Sequence, residues 1–566
     1  MRPIIYQVLV RLFGNQKRSK TLWGSVKENG IGKMNSFSDK ALSEIKKMGF
    51  SHIWYTGLIE HASCTDHSEF GIPNDHPSVV KGVAGSPYAI KDYYDIAPDL
   101  ASDIPNRMKE FDSLVKRTHK QGLKLIIDFV PNHLARQYHS DAHPENVADF
   151  GIKDDTSKPF SPSNNFYYIP DENLEVPPGE NNHRQVTEPY NEFPAKATGN
   201  DVFSSRPSIN DWYETIKLNY GVDYQNNRAT HFDPIPDTWI KMKDILLYWA
   251  GKGVDGFRCD MAELVPVEFW QWVTSKIKET KPEIIFIAEV YQPDLYRRYI
   301  YEGGFDFLYD KVELYDTLKS IIQGHGSSDQ IPQVWQTQEG IGDHMLRFLE
   351  NHDEQRIASP FFANDPRPGI PMMTATAFMH KGPVMIYFGQ EVGEPANGTS
   401  GFSGDDGRTT IFDYWSVPEH QKWMNEGAFD GKKLSEEQKS LREAYINILK
   451  ACNENTLFQS GDFYDLQYFS RSDDFIGYSD KVYSFIRHNN QEGILVVINF
   501  ASEISDISIK LPYHFCQLLQ LNSDSKIKID GRSYSVKALT NPGSSTSFSI
   551  SSPPYSYKLY TVKASK

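Results

Sequence analysis

Asp128-Phe129-Val130-Pro131-Asn132-His133 closes a short apolar run, 123–130, with a carboxylate and a His-bearing polar cluster. A run apolar on both sides of the chain reads as a strand covered on both faces, as in a parallel sheet. The arrangement recurs three times. Gly256-Phe257-Arg258-Cys259-Asp260 ends the run 254–259, Ile287-Ala288-Glu289-Val290 ends 284–290, and Leu349-Glu350-Asn351-His352-Asp353 ends 344–349. Acids placed repeatedly where a strand runs out, in a chain alternating strands with helices, are what a barrel active site requires.

Four more strand-like runs lie at 4–10, 52–56, 305–308 and 384–388. Helix-patterned stretches fall between and after them. In 38–48, Ala41, Leu42, Ile45 and Met48 share one face and Ser38 is placed to cap the start. The pattern continues at 105–120, at 237–250 (opening on a capping Asp237), and at 266–278, 294–301, 312–323, 371–380 and 435–451. Gly49, Gly122, Gly253 and Gly382 each precede a strand, where a helix C-cap glycine belongs. Eight strands alternating with about eight helices predict an α/β chain with a (β/α)8 TIM barrel.

Residues 134–236 break the alternation; they are rich in Pro, Asn, Asp, Glu and aromatics and lack helical periodicity. A connection that long carries structure of its own, so a structured insert is expected after the third strand. After 455 short alternating segments appear at 481–487, 493–500, 504–511, 517–521, 533–536 and 557–562, separated by Gly, Ser, Asn and Pro. They predict a C-terminal all-β sandwich, with the Ser-rich 540–554 as a flexible hairpin. The expected organisation is barrel over 1–133 and 237–454, insert over 134–236, and β domain over 455–566.

The 566-residue length is too great for one core. Net charge is −15 and no long basic run is present, which excludes nucleic acid and anionic membrane as natural partners and suits a neutral ligand. Aromatics make up 13%; most are core material, and some suit stacking on the apolar faces of sugars. Cys64, Cys259, Cys452 and Cys516 are scattered with no C-x-x-C, so neither a disulfide framework nor a zinc site is expected, and the thiols are read as free and buried. The opening segment reads as a first strand rather than a signal peptide, and no apolar stretch is long enough to span a bilayer; the expected location is the cytoplasm.

Together the four motifs resemble those of the α-amylase family of glycoside hydrolases. Gly49-Phe50-Ser51-His52-Ile53-Trp54 is similar to the family's second strand, and Gly382-Pro383-Val384-Met385-Ile386-Tyr387-Phe388-Gly389-Gln390-Glu391 to its eighth. The resemblance implies a retaining hydrolase of endo type on α-1,4 links of starch-like glucans. Glycosidic cleavage needs two carboxyls flanking the bond, about 5–5.5 Å apart when configuration is retained. Asp260 and Glu289, ending consecutive strands, are the candidates. Arg258 leaves the same strand face as Asp260 and is expected to hold it ionised as the nucleophile. Glu289, in an apolar surround, is expected to keep a proton as general acid. Asp353 matches the third family carboxylate, His133 and His352 the sugar-hydroxyl donors, Tyr88 the stacking tyrosine, and Asp128 a supporting acid. Taken singly, Arg258 with Asp260 is a structural ion pair, and either histidine or Tyr88 is ordinary filler; four ordered motifs make that improbable.

Departures from the family bear on detail. Met261-Ala262-Glu263-Leu264 stands where many members carry Lys-His after the nucleophile, leaving Glu263 to contact an acceptor sugar or to face solvent. The family's B-domain calcium motif has two candidate matches, Arg206-Pro207-Ser208-Ile209-Asn210 and Ile216-Lys217-Leu218-Asn219-Tyr220, each lacking the acid, as Ser208 or Lys217. The resemblance implies Ca2+ with Asn132, the other usual ligand, retained, but at a site short of its acid, and calcium prefers several anionic oxygens. Gly85 replaces an acid typical of chain-end specialists. Three rivals stay open: a glucanotransferase of the same family, a non-catalytic sugar-binding module, and an unrelated metal-dependent barrel hydrolase. Oligomeric state is not legible.

Overall fold

Eight short strands form one parallel sheet: β1 (Ile4–Leu9), β2 (His52–Thr56), β3 (Lys124–Phe129), β4 (Gly256–Cys259), β5 (Ile285–Ala288), β6 (Phe307–Tyr309), β7 (Met345–Leu346) and β8 (Val384–Tyr387). Their order is β7-β6-β5-β4-β3-β2-β1-β8, and a parallel bridge between Arg347 and Val384 joins the two ends into a ring. This computed structural model describes residues 2–178, 186, 188–399, 404–471, 478–489, 491–521, 526–529, 532–535 and 545–565. The strands are largely buried and mainly apolar, with Gln7, Asp128 and Arg258 as buried polar exceptions.

One helix packs after each strand: α1 (Asp39–Lys47), α2 (Arg107–Lys120), α3 (Asp237–Gly251), α4 (Val267–Thr280), α5 (Tyr296–Tyr301), α6 (Asp316–Ile322), α7 (Gly369–Phe378) and α8 (Glu436–Glu454). The start of α1 is set by Ser38, whose Oγ accepts from Ala41 N at 3.2 Å, a cap that contributes about 1 kcal/mol. Ala41, Leu42 and Ile45 then turn one buried stripe toward the barrel. Ser435 and Gln438 form a reciprocal capping box on α8.

Two local expectations are corrected. Pro236, not Asp237, caps α3; Asp237 is its first helical residue and its carboxylate pairs with Lys241 at 3.0 Å, still favourable beside the helix N-terminus. Gly49, Gly122 and Gly253 have φ of 109°, 67° and 92°, as helix-terminating glycines should. Gly382 does not: a Cβ there would come within 2.6 Å of the Asp343 carbonyl oxygen, so close approach, not handedness, requires glycine.

Between β3 and α3 the chain forms short antiparallel pairs: His133–Ala135 with Thr215–Lys217, Tyr168–Ile169 with Ala195–Lys196, and Val222–Asp223 with Ala229–Thr230. The first pair grafts the insert directly onto the exit of β3. A buried ion pair between Arg136 and Glu192 at 2.7 Å stiffens its interior.

The C-terminal part is all-β apart from short helical turns. It contains β9 (Asp462–Asp465), β10 (Val482–His488), β11 (Glu492–Asn499), β12 (Ser505–Pro512), β13 (Lys526–Ile529), β14 (Arg532–Ser535), β15 (Ser545–Ser552) and β16 (Ser556–Ser565). One sheet runs β9-β10-β11-β16-β13-β14, and β12 pairs with β15. Ile486, Leu495 and Val497 of the first sheet share a core with Ile507, Ile509 and Leu511 of the second. The segment 517–521, expected as a strand, instead completes a helix over Tyr513–Leu518 and a turn that bury Phe515, Cys516 and Leu519, a helical spacing. Within 540–554, expected as a flexible hairpin, Ser545–Ser552 is a strand; 540–544 lie outside the described residues. Phe378 of α7 stacks on Phe458 at 4.0 Å, and Arg487 donates to Met379 O at 3.1 Å, docking this domain on the barrel.

None of the four cysteines forms a disulfide; Cys259, Cys452 and Cys516 are buried and Cys64 is half-buried. Among the described residues no helix is long and apolar enough to cross a membrane.

Candidate active site

The register of the barrel brings the four motifs to one end. Arg258 of β4 lies opposite Asp128 of β3 and Ile287 of β5. Just past the strand ends, Asp260 N donates to Phe129 O at 2.9 Å and Glu289 N to Cys259 O at 3.1 Å. The ladder therefore carries Asp260 and Glu289 out side by side, at the strand ends where barrel enzymes build their sites.

Arg258 joins the two acids. Its Nη1 lies 2.7 Å from Asp260 Oδ1 and its Nη2 lies 2.7 Å from Glu289 Oε2. Nη1 is also 3.8 Å from Asp128 Oδ1, and Nε donates to Tyr309 OH at 3.1 Å. The guanidinium has no solvent exposure and sits 5.3 Å from the ring centroids of Trp54, Tyr88 and Tyr309, so aromatic faces replace water around the charge. Glu289 receives two further bonds, from Tyr291 OH at 2.6 Å and Met261 N at 2.8 Å.

The histidines are fixed in tautomer by their neighbours. Gln7 Nε2 donates to His352 Nδ1 at 2.8 Å, leaving the proton on Nε2, which lies 3.0 Å from Asp353 Oδ2 and hydrogen-bonds Tyr88 OH. Asn132 Nδ2 donates to His133 Nδ1 at 3.1 Å, leaving an Nε2–H 4.0 Å from Asp260 Oδ2. Burial pushes His133 down to about 4 and His352 well below its ordinary value, with Arg258 adding to the latter. Both rings are neutral donors at neutral pH. Asp128 accepts from Gly57 N at 3.2 Å and Tyr88 OH at 3.4 Å, and burial pushes it up to about 7.

Asp260, Glu289 and Asp353 line one cleft of about 600 Å³, together with Tyr88 and His133, a volume suited to a small ligand or a few sugar units. Burial raises all three carboxyls. For Asp260 this corrects the expectation of a carboxyl held low: desolvation outweighs Arg258, which with a hydrogen bond from Glu289 only restrains the rise. Glu289 is raised as expected, but its surround is polar; burial acts first, Arg258 opposes it, and the Asp260 charge adds to it. Asp353 rises through burial and then the charge of Glu289.

Two expected site residues are placed elsewhere. Glu263 is not in the cleft. Its carboxylate accepts from Tyr291 N at 3.0 Å and Gln292 N at 3.2 Å, bracing the loop after Glu289. Asn132 is fully buried, and its Oδ1 accepts from the Lys217 ammonium while Nδ2 donates to Gly199 O at 2.7 Å. The second of the two B-domain matches is thus the one that reaches Asn132, and a divalent ion there would meet a like charge. A separate acid group, Glu60, Asp92, Asp95 and Asp141, brings carboxylate oxygens within 4.8 Å of one another, but Arg107 already pairs with two of them.

The cleft also contains residues that sequence reasoning missed: Trp212, Glu214, Tyr291, Lys311, Arg408 and Phe412. Tyr291 carried a usable signal, lying two residues past Glu289 and so emerging on the same side. Lys311 opens a short helical turn, and the others come from loops, where no periodicity marks them. Gly85 has φ +76°, and a Cβ would lie 1.7 Å from Ala62 O, so no acid fits at this position.

The model of the α-amylase catalytic domain matches residues 7–439, and that of the α-amylase C-terminal all-β domain matches 473–563. The chain belongs to the α-amylase family. Curated relatives are distant. "Alpha-amylase 3" of Dictyoglomus thermophilum is 24% identical over 472 residues, 79% of this chain and 75% of the relative. An α-1,4-glucan:maltose-1-phosphate maltosyltransferase of Picrophilus torridus is 24% identical over 299 residues, 51% of this chain and 36% of the relative. Among solved structures, a maltogenic α-amylase from Thermotoga neapolitana aligns with TM-score 0.60 at 20% identity, covering 99% of this chain and 98% of that one. A Nostoc punctiforme debranching enzyme aligns with TM-score 0.61 at 16% identity, covering 99% and 98%. Within the α-amylase family the chain is a glycoside hydrolase-like enzyme; the relatives span hydrolases and transferases.

Proposed function

We propose that the enzyme is a retaining α-glucan hydrolase that cleaves α-1,4 links of starch or maltodextrin through a covalent glycosyl-enzyme intermediate. The observation that carries this reading is the single guanidinium of Arg258 holding Asp260 and Glu289 at 2.7 Å each, with Asp353 in the same cleft. Two carboxyls clasped by one guanidinium favour the close spacing of retaining enzymes over the roughly 6.5–9.5 Å gap that inverting ones need for a water.

In this mechanism Glu289 protonates the leaving glycosidic oxygen while Asp260 attacks the anomeric carbon. The proton belongs on Glu289 because its hydrogen bond lowers Asp260, while the Asp260 charge raises Glu289. Asp353 holds sugar hydroxyls and stabilises the positive charge developing on the ring. The Nε2–H groups of His133 and His352 donate to hydroxyls of the same sugar, and Tyr88 stacks against it. Once the leaving sugar departs, ionised Glu289 takes a proton from water, which attacks the anomeric carbon and frees Asp260.

Transfer to a second glucan is the competing outcome, favoured by the maltosyltransferases among the relatives. Digestion of pure maltotriose with products sized separates the two: products shorter than the substrate alone mean hydrolysis, and longer oligomers mean transfer. Asp260→Asn should abolish turnover with the fold intact; near-normal turnover would refute the assignment of Asp260 as nucleophile.

A further inference from the structure

The site where the family resemblance implies calcium does not fit that ion here. Its residues are Asn132 at the exit of β3, Asp201 in the insert, and the backbone carbonyl of Leu264, four residues past Asp260. Asp201 is the sole carboxylate of the three, whereas calcium takes six to eight oxygens with several anionic ones. The Nζ of Lys217 lies 2.6 Å from Asp201 Oδ1, donates to Asn132 Oδ1, and donates to Leu264 O at 3.3 Å. Lys217 is 1% exposed. The ammonium thus donates two hydrogen bonds and makes one ion pair, to oxygens from three separate segments.

We propose that Lys217 is a built-in replacement for the divalent cation. Its ammonium fastens the inserted domain to the two barrel loops that carry His133 and Asp260, making that connection independent of metal. The backbone around it is fixed for this task. Lys217 pairs with His133 in the strand register, Lys217 N donates to Ala197 O at 2.9 Å, and Leu218 N donates to Asn132 O at 3.0 Å. The ammonium also lies 5.3 Å from the Tyr224 ring centroid, a cation–π contact that closes its remaining side. Lys217 is a positioning residue: it touches neither the cleft nor the reacting carboxyls.

The test uses the full chain with two variants, each assayed in chelator and in excess CaCl2. Lys217→Met leaves the Asp201 carboxylate without its cation and should lower kcat/KM by roughly 10- to 100-fold, the scale seen when a group orienting a site is removed, with no recovery in calcium. Lys217→Asp restores an anionic oxygen; a carboxylate plus a Ca–O bond of about 2.4 Å spans about what the lysine stem spans. That variant should be impaired in chelator and should recover in calcium with binding of one ion, while the wild type gains nothing in kcat/KM from calcium. The proposal is overturned if Lys217→Met keeps wild-type kcat/KM and melting temperature in chelator, or if Lys217→Asp in calcium stays as impaired as Lys217→Met.

Discussion

Arg258→Met removes the one cation that the reacting carboxyls share, and its effect can be worked from the geometry. Two ion pairs of 2.7 Å are lost, at a residue with no solvent exposure. Removing one partner of a buried pair costs about 3–5 kcal/mol, because the remaining charge is uncompensated. The carboxyls relieve that cost by binding protons. An opposite charge at this range lowers a carboxyl pKa by about 1–3 units, so losing it raises Asp260 by that amount, on top of the rise burial already causes. Each unit above the assay pH cuts the ionised fraction about tenfold. The expected result is a fall in kcat/KM of roughly 10- to 1000-fold on the acid side of the profile, about tenfold for each unit of that rise, with the acid limb of the pH–rate profile moved to higher pH. Stability shifts in a matching direction. Carboxyls whose folded values exceed their unfolded ones bind more protons when folded, so their contribution is present at acid pH and lost as pH rises through the folded values. The melting-temperature deficit of the variant should therefore widen as pH rises through the raised folded values. Arg258→Lys keeps the charge but cannot fork to both acids, so it should slow the enzyme while leaving the acid limb near its wild-type position. An Arg258→Met enzyme within a few-fold of wild type and with an unmoved acid limb would refute this reasoning.

Tyr291→Phe deletes the hydroxyl that donates to Glu289 Oε1 at 2.6 Å and lowers its pKa; the alkaline limb of kcat should move to higher pH, and an unmoved limb would remove Tyr291 from the proton path. Gly85→Asp forces a Cβ to 1.7 Å from Ala62 O at φ +76°, so calorimetry should show a lower melting temperature, by an amount reflecting at least about 1–3 kcal/mol of backbone strain. A wild-type melting temperature in that variant would contradict the packing described. Burial holds Glu60 at about 9, and Asp128 and Glu350 at about 7. These folded values lie above the unfolded ones, so their stabilisation is present in acid and lost as pH rises through about 7 and then about 9. Calorimetry across that range should show a falling melting temperature, and a rise would contradict it.

The barrel was legible because its strands are apolar on both faces and its helices carry caps and stripes; β2 spans His52–Thr56 as read, and Ser38 caps α1. The C-terminal domain was harder. In Ser545–Ser552 serines occupy most positions, with Phe548 and Ile550 facing inward, so composition imitates a loop. Asp260 and Glu289 were legible because each directly follows a strand and the register of β4 with β5 makes them neighbours, whereas Asp353 reaches the cleft on the loop beyond β7. Charge balance was not. Whether burial or Arg258 dominates at Asp260 depends on how completely the cleft excludes water, which spacing does not encode. Glu263 follows the same limit: three residues past Asp260, it turns away to bind the backbone of 291–292.

The most direct test follows the covalent intermediate itself. Glu289→Gln, given an α-maltosyl fluoride whose leaving group needs no protonation, should form the glycosyl-enzyme but lack the base that activates water for its release. Peptide mass spectrometry is predicted to find the added glycosyl mass on the peptide holding Asp260. An adduct on another residue, or no adduct together with inverted product configuration from the wild-type enzyme, would contradict it.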